Sequence, residues 1–458
     1  VGEVNDTRWT SSSGGLRLRL PDSSDLQARV FVDVQRFHST FMAVSNSATL
    51  RNLDRLSVDQ HVPTDGVGTM AQWSKILGSS NVLSAGTDWR RVDGDSHEDS
   101  YNAATPQVII PPVTILPVLA LQRISGGIQQ IMGGFAQDVW APLPQLTVTL
   151  SARVDHWRNY DAHNLETPVI AGVAVNNQPN LPGRDDTAVS PHVGAMYHFS
   201  DRVSVWGAWS SGFRAPTLNE LYRQFRVGTV LTLANNQLGP EHLLGGEAGV
   251  NLSLARNLTW RTTWYDNRVT DPVANVTLST TPATVTQQRQ NLGATRIWGL
   301  QTDVEYRLGH GLRLSAAYLY NHAIVTDGGV ANAGLVGKFL PEVPQNRGTV
   351  QVSYTNPRYV NVALGMQFYG LQYDDDQNVR AVVGPSLFEA GYSTTFGPGL
   401  PGYTMVDITA SRTVVRNFDV FFGVQNLLNK EYFVATLPDT IGTPRLVNGG
   451  VRVRFAGR

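Results

Sequence analysis

The side chains best placed by sequence to do chemistry are His97, with Asp95 and Asp99 two residues to either side, and the run Asp374-Asp375-Asp376. A histidine beside a carboxylate is half of a hydrolytic triad, but no nucleophile accompanies it and the surrounding polar stretch reads as a loop. Three successive carboxylates offer hard oxygen ligands for calcium; a solvated acidic loop tip is the simpler expectation. The ten histidines are scattered without metal spacing, and the chain has no cysteine, which excludes disulfides, thiolate metal sites and a cysteine nucleophile. The sequence therefore assigns no catalytic residue, no metal site and no cofactor, and the protein reads as a non-enzyme. The sequons at Asn257 and Asn275 read as chance matches to a glycosylation pattern.

Charged residues make up 16% of the chain, with 36 Lys and Arg against 37 Asp and Glu, where soluble domains average about 25%. That balance does not advertise a nucleic-acid partner. No window approaches an uninterrupted apolar helical span. The nearest, Val108 to Leu121, has Pro106, Pro111, Pro112 and Pro117 in or beside it and reads as an extended loop packed among its neighbours.

What repeats is a period of two. Leu146, Val148, Leu150, Ala152 and Val154 alternate with Thr147, Thr149, Ser151, Arg153 and Asp155, and Leu26 to Val34 alternates likewise. The pattern returns at Val360 to Phe368, Val406 to Val414 and Phe418 to Val424. Such strands have one apolar side, which faces a core in a sandwich and lipid in a membrane barrel. Two features favour the barrel. Several strands exceed the five or six residues usual in soluble sheets, and their polar faces carry mid-strand charge at Arg153, Arg261, Asp303 and Glu305, which a wet lumen accepts more readily than a dry core.

Connection lengths give an independent test. Short turns fall at Pro21 to Asp25, Gly78 to Asn81, Ala141 to Pro144, Ser200 to Asp201, Ala255 to Asn257, Gly309 to Gly311, Asn356 to Arg358 and Val415 to Asn417. Long polar stretches lie between them, at roughly Phe41 to Asp65, Asp93 to Ser125, Arg158 to Val189, Gly212 to Leu243, Asp271 to Gly293, Ile324 to Asn346, Leu371 to Pro401 and Leu427 to Thr443. Outer-membrane barrels alternate short periplasmic turns with long outer loops in this way. The sequence predicts an all-β, transmembrane antiparallel β-barrel of about seventeen strands. Aromatics near strand ends, among them Trp140, Trp157, Trp209, Trp260, Trp264 and Tyr318, suit interfacial girdles.

Four ordered motifs then carry a family resemblance. Gly212-Phe213-Arg214-Ala215-Pro216-Thr217, followed by Glu220-Leu221, resembles the GFRAPT-x-x-EL motif of TonB-dependent outer-membrane receptors. Pro240-Glu241 with Glu247 and Gly249 resembles the family's NPxLxPE…ExG stretch, although Asn235-Asn236 stands where Asn-Pro is usual. Asn426-Leu427-Leu428-Asn429-Lys430-Glu431-Tyr432 resembles NLFDKxY, and Gly442-Thr443-Pro444-Arg445 with Phe455 resembles the closing G-x-PR and terminal aromatic strand. Ala456, Gly457 and Arg458 follow Phe455, where family barrels normally end on it.

The resemblance implies a barrel of about 22 strands with a globular plug before it. Residues 1–458 then read as a partial barrel domain lacking plug and first strands. It also implies a receptor that binds a scarce chelate outside, most readily a ferric siderophore, with cobalamin and haem as alternatives, and imports it with energy from a TonB complex acting on the plug. Partners are thus outer-membrane lipid, TonB and a small metal chelate; a passive porin is the alternative. Ligand contacts are expected from loop aromatics, cations and a histidine around a concave mouth, with candidates Tyr101, Tyr160, His163, Tyr222, Arg223, Phe225, Arg226, Tyr373 and Tyr392. Gly212, Phe213, Arg214, Pro216, Glu220, Pro240, Glu241, Glu247, Asn426, Tyr432, Pro444, Arg445 and Phe455 are expected to shape loop bases and strand ends.

Overall fold

A computed structural model describes residues 3–44, 54–102, 118–173, 175–227, 230–281, 284–356, 358–379, 381–385, 393–415, 417–436 and 439–454. One 18-stranded sheet dominates it, and all but the four-residue strand Gln178–Leu181 are wall strands. They are β1 (Asn5–Arg19), β2 (Asp25–Val44), β3 (Asp54–Leu77), β4 (Asn81–Asn102), β5 (Val118–Leu143) and β6 (Leu146–Pro168), then Arg184–Ser200, Val203–Arg214, Glu241–Ala255, Leu258–Thr270, Ala294–Gly309, Leu312–Asp327, Asn346–Asn356, Val360–Tyr369, Tyr403–Val415, Phe418–Gln425 and Leu446–Val453. Each pairs antiparallel with its neighbours in the chain. Among the described residues no ladder joins β1 to Leu446–Val453.

The seventeen wall strands and all eight short turns fall where alternation placed them. Several strands are longer than expected. Phe41 to Asp65 and Asp93 to Ser125, read as loops, belong largely to β2 through β5, and β6 runs on to Pro168. His97 accordingly lies on β4, paired with His61 and Ile124, rather than in a polar loop. The reason is physical: beyond the lipid neither face need be apolar, so the period-two signal fades while the backbone ladder continues. Residues 103–117, with most of the apolar Val108 to Leu121 run, lie outside the described residues, as do Tyr392 and Phe455.

Burial confirms which face is which. Val30, Val32 and Leu150 are 54%, 45% and 47% exposed on the outer face, as side chains facing acyl chains must be. On the opposite face Arg153 Nη1 donates to Asp88 at 2.7 Å, and its Nη2 donates to Asp155 at 2.5 Å. Trp140, Trp209, Trp260, Trp264 and Tyr318 are exposed on the wall. Trp157 is not one of them. It shares the inward parity of Arg153 and Asp155, is 1% exposed, and packs inside with Leu221, Tyr222 and Leu238.

The outer connections are also more ordered than their composition suggests. Phe225–Val227, Val230–Leu233, Val285–Asn291 and Val273–Thr280 form a four-stranded sheet of their own, and the helix α1 (Leu218–Tyr222) precedes it. Asp374, Asp375 and Asp376 are buried rather than a solvated tip. Asp376 accepts from the Thr277 backbone N–H at 2.9 Å and from its hydroxyl at 2.7 Å, tying two outer loops together. Carboxylates accepting backbone N–H groups are strong fasteners.

The facing of the wall is directly testable. Leu150→Arg, mid-wall and outward, should destabilise the folded barrel by about 2–4 kcal/mol, read as a lower urea midpoint for loss of heat-modifiable gel mobility. Thr149→Arg, one residue away and inward, should shift that midpoint far less.

Candidate ligand-binding mouth

The best-defined part of the outer mouth begins where Val203–Arg214 leaves the wall. Gly212, Phe213 and Arg214 still pair with Leu243, His242 and Glu241 on the next strand. Pro216 then ends the ladder, being unable to donate to it, and its carbonyl accepts from the Gln129 side chain at 3.0 Å. Thr217 caps α1 in a capping box with Glu220, satisfying amides that a helix start leaves free. The turn places Leu221 and Tyr222 inward, against Trp157, Ala162 and Leu238, with Phe213 at the margin.

Arg214 fastens this unit. Its Nε and Nη2 reach the two carboxylate oxygens of Glu241 at 2.7 and 2.9 Å, while Nη1 reaches Glu220 at 2.9 Å. Glu241 also accepts from the Val273 backbone N–H at 2.7 Å. A planar guanidinium can fork in this way; an ammonium cannot. Two motifs 27 residues apart in sequence are therefore one clamp. Burial pushes the Glu220 carboxyl up, but its hydrogen bonds to Arg214 and Thr217 outweigh that and hold it below the usual range. Pro240 is buried beside the clamp, and Glu247 sits mid-strand between Ala208 and Tyr265.

Behind α1 lies a chain of buried charges. Arg123 donates to Glu98 at 3.1 Å and to Glu166 at 2.7 Å. Arg223, leaving α1, donates to Glu98 from the other side. Glu166 further accepts from the Asn176 backbone at 2.5 Å. Arg289, on the loop sheet and 8% exposed, donates to the carbonyls of Asn219 and Arg223 at 2.8 and 3.3 Å rather than to a carboxylate. Burial pulls it below its ordinary value. Arg223 and Arg289 both lie against the ring of Phe225, at 5.2 and 5.1 Å from its centroid. Arg223 also lines a cavity of ≈ 620 Å³, together with Phe37, Phe41, Gln60, Arg90 and Gln129; Phe225 and Arg289 are not part of that lining. Cations stacked on an aromatic face beside a concave space suit a flat, oxygen-rich anion.

Of the expected contact residues, the structure brings Arg223 and Phe225 together, places Tyr222 in the apolar cluster with Trp157 and Leu238, and leaves the others apart. Arg226 is exposed and donates to Thr284 at 3.4 Å. Tyr160 receives Arg91 at 3.4 Å and stacks under Arg158, and His163 pairs with Asp95 at 3.3 Å. Those two and Tyr101 lie on the wall face opposite Glu98 and Gln60. Tyr373 stacks on Phe339, 5.5 Å between centroids, and His322 lies between Trp298 and Phe339. Glu98, Arg123, Glu166 and Arg289 escaped sequence reading because all four fell in stretches that lacked alternation. Their one signal was polar side chains recurring at inward parity, as in Ser96 and Glu98.

The remaining motif shapes the rim. Asn426, at φ +48°, receives the Lys430 backbone N–H at 2.7 Å and donates to the Lys430 and Thr443 carbonyls at 2.8 and 3.1 Å. Asn429 accepts from the Arg445 backbone next to Pro444 at 3.0 Å. Tyr432 stacks on Tyr403, and Tyr403 on Tyr369, at 4.2 and 4.9 Å.

A long-strand antiparallel wall, apolar outside and charged within, with structured outer loops, defines a transmembrane β-barrel of the outer-membrane type. Comparison with known proteins supplies the family. Residues 2–427 match the TonB dependent receptor-like, beta-barrel model, and the chain belongs to that family. It is 21% identical over 309 residues to an iron-regulated outer membrane virulence protein of Vibrio cholerae, covering 65% of this chain and 40% of the relative. It is 26% identical over 254 residues to the metal-pseudopaline receptor CntO of Pseudomonas aeruginosa, covering 54% and 30%. In fold it resembles the ferric yersiniabactin uptake receptor of Yersinia pestis, with TM-score 0.69, 14% identity and coverage of 99% of this chain and 63% of that one. It also resembles a copper transporter, with TM-score 0.71, 14% identity and coverage of 98% and 66%. The matched segments cover less than half the length of either curated relative. It is a multi-pass β-barrel of the cell outer membrane.

Two outcomes follow from the clamp. Arg214→Lys keeps the charge but not the fork, so limited proteolysis should cut between residues 215 and 240 several-fold faster than in wild type, while the folded gel mobility of the wall persists. Glu220 has a depressed folded-state pKa, so its contribution is complete above the ordinary glutamate value of about 4.3 and is lost as pH falls through the depressed value. The same cleavage should accelerate in wild type across that acidic window with an acid-active protease, and the acceleration should be smaller in Glu220→Gln.

Proposed function

We propose that this protein is an outer-membrane receptor that captures a scarce metal chelate at its outer mouth and imports it with TonB-supplied energy, with a ferric siderophore as the best-supported ligand. The reading rests on family membership together with one observation of chemistry, Arg223 at the lining of the cavity with its guanidinium against the ring of Phe225. Siderophore complexes present carboxylate, catecholate or hydroxamate oxygens around iron, and these suit guanidinium donors and an aromatic platform. The names of relatives that take up iron or metal complexes support the same class. A wall whose mouth is crossed by ordered loops and buried ion pairs argues against the passive porin. His97, the one candidate catalytic histidine, faces away from the cavity, and among the described residues no nucleophile is placed with it.

Deletion of the gene should abolish growth on one or a few ferric chelates as sole iron source and leave growth on ferrous iron unchanged. Equal growth of deletion and parent strains on every chelate tested would sink the reading. In purified protein, Arg223→Gln and Phe225→Ala should each weaken binding of that chelate. A lost charge-assisted hydrogen bond is worth about 1.5–3 kcal/mol, which is roughly tenfold or more in Kd.

A further inference from the structure

On the outer face of the wall, away from the cavity, two histidines and an aspartate converge. His38 on β2 pairs directly across the ladder with His61 on β3. Their imidazole rings lie parallel, 5° apart in plane with centroids 4.1 Å apart. Both Nε2 atoms point at one oxygen of Asp59, His38 at 2.8 Å and His61 at 3.4 Å. The three ligand atoms all lie within 4.8 Å of one another. No motif spacing announces this group, since 21 residues separate His38 from Asp59; register alone assembles it.

We infer that His38, Asp59 and His61 form a binding site for a single divalent transition cation of the zinc, nickel or copper class. Four arguments carry this. Donors about 2.0–2.1 Å from a tetrahedral ion stand about 3.3 Å from one another, so His61 at 3.4 Å from Asp59 already matches, and side-chain rotation that opens the 2.8 Å His38–Asp59 hydrogen bond would seat an ion. Two imidazoles and one carboxylate select borderline cations, whereas calcium and magnesium want oxygen ligands throughout. The ligands sit mid-strand on adjacent hydrogen-bonded strands, so the ladder holds the site in shape before the ion arrives. His61 is the most exposed of the three, its side chain 59% accessible, which leaves an open side for entry and for a water as fourth ligand.

Position separates this site from the import route. On β2 the outward face runs from Leu26 through Val34 as an apolar band, then carries Arg36, whose guanidinium pairs with Asp65 at 2.8 Å, and then His38. The group therefore lies just beyond the lipid band on the long-loop side. Phe37 and Gln60, its neighbours in sequence, face the cavity on the other side of the sheet. A bound ion would cross-link β2 and β3 where they project past the membrane. The row continues onto β4, where His97 pairs with His61 and Asp99 with Asp59, so further polar donors flank the site on that side. Asp99 is itself engaged by Gln122 at 2.9 Å.

The test is titration of the purified protein in detergent with Zn2+ and with Ni2+ against a competing chromophoric chelator, in excess Mg2+ and Ca2+. One equivalent should bind with low-micromolar affinity, unaffected by Mg2+ or Ca2+. The double variant His38→Gln/His61→Gln should lose affinity by more than roughly tenfold, and Asp59→Asn should fall between it and wild type. Heat-modifiable gel mobility establishes that each variant is folded; should the double variant not fold, His61→Gln alone serves, with the same loss expected. Absence of binding in folded wild type, or binding that survives in the folded His-to-Gln variant, overturns the assignment. Because the readout is cation affinity and not uptake, its outcome is independent of whether the transport reading holds.

Discussion

A backbone amide or carbonyl in hydrocarbon has no water to bond, and leaving it unpaired costs several kcal/mol. The fifteen wall strands between the two end strands answer that cost by pairing on both sides, while β1 and Leu446–Val453 pair on one side among the described residues. The antiparallel ladder follows from it, and so does the strict division of side chains into two faces. Leu150 can be greasy and exposed because its neighbours in the ladder are satisfied, and Arg153 can be charged because the next face over is wet. Once the ladder is in place, a residue's parity fixes its solvent.

The same ladder continues above the lipid, where its work changes. From about Arg36 on β2 and Asp93 on β4 the outward face is polar as well, and strands serve as a stiff collar on which loops are hung. Ion pairs then take over as fasteners. Arg214 joins Glu220 to Glu241, Arg123 joins Glu98 to Glu166, and Asp376 holds Thr277 of a distant loop. Removing one partner of such a pair leaves a desolvated charge behind. The mouth therefore stands as a connected unit resting on the wall, not as a set of independent loops.

Inward and outward faces near the mouth consequently carry different chemistry within one strand. Gln60 and Glu98 belong to the lumenal side with Arg223 and the cavity; Asp59, His61 and His97 belong to the outside. Aromatic and cationic side chains that look equivalent in a loop-rich sequence divide the same way. Arg223 meets Phe225 and Tyr222 packs on Trp157 inside, while Tyr160 and His163 engage Arg91, Arg158 and Asp95 on the opposite face.

The amino-acid sequence alone was enough to determine the number of wall strands, their direction and the short turns, because lipid on one side and water on the other impose a period of two that composition records directly. It also located the motifs at Gly212 to Glu220, Pro240-Glu241 and Asn426 to Tyr432, whose glycines, prolines and asparagines mark strand ends. Where lipid no longer contacts the wall that record stops, so the upper halves of β2 to β5 read as loops and Trp157 read as girdle. Only the tertiary structure decided that Arg214 bridges two motifs, that Arg289 stacks on Phe225, and that His38 meets His61. Those contacts are set by cross-strand register and loop packing, which depend on residues tens of positions apart and leave no local periodicity to read.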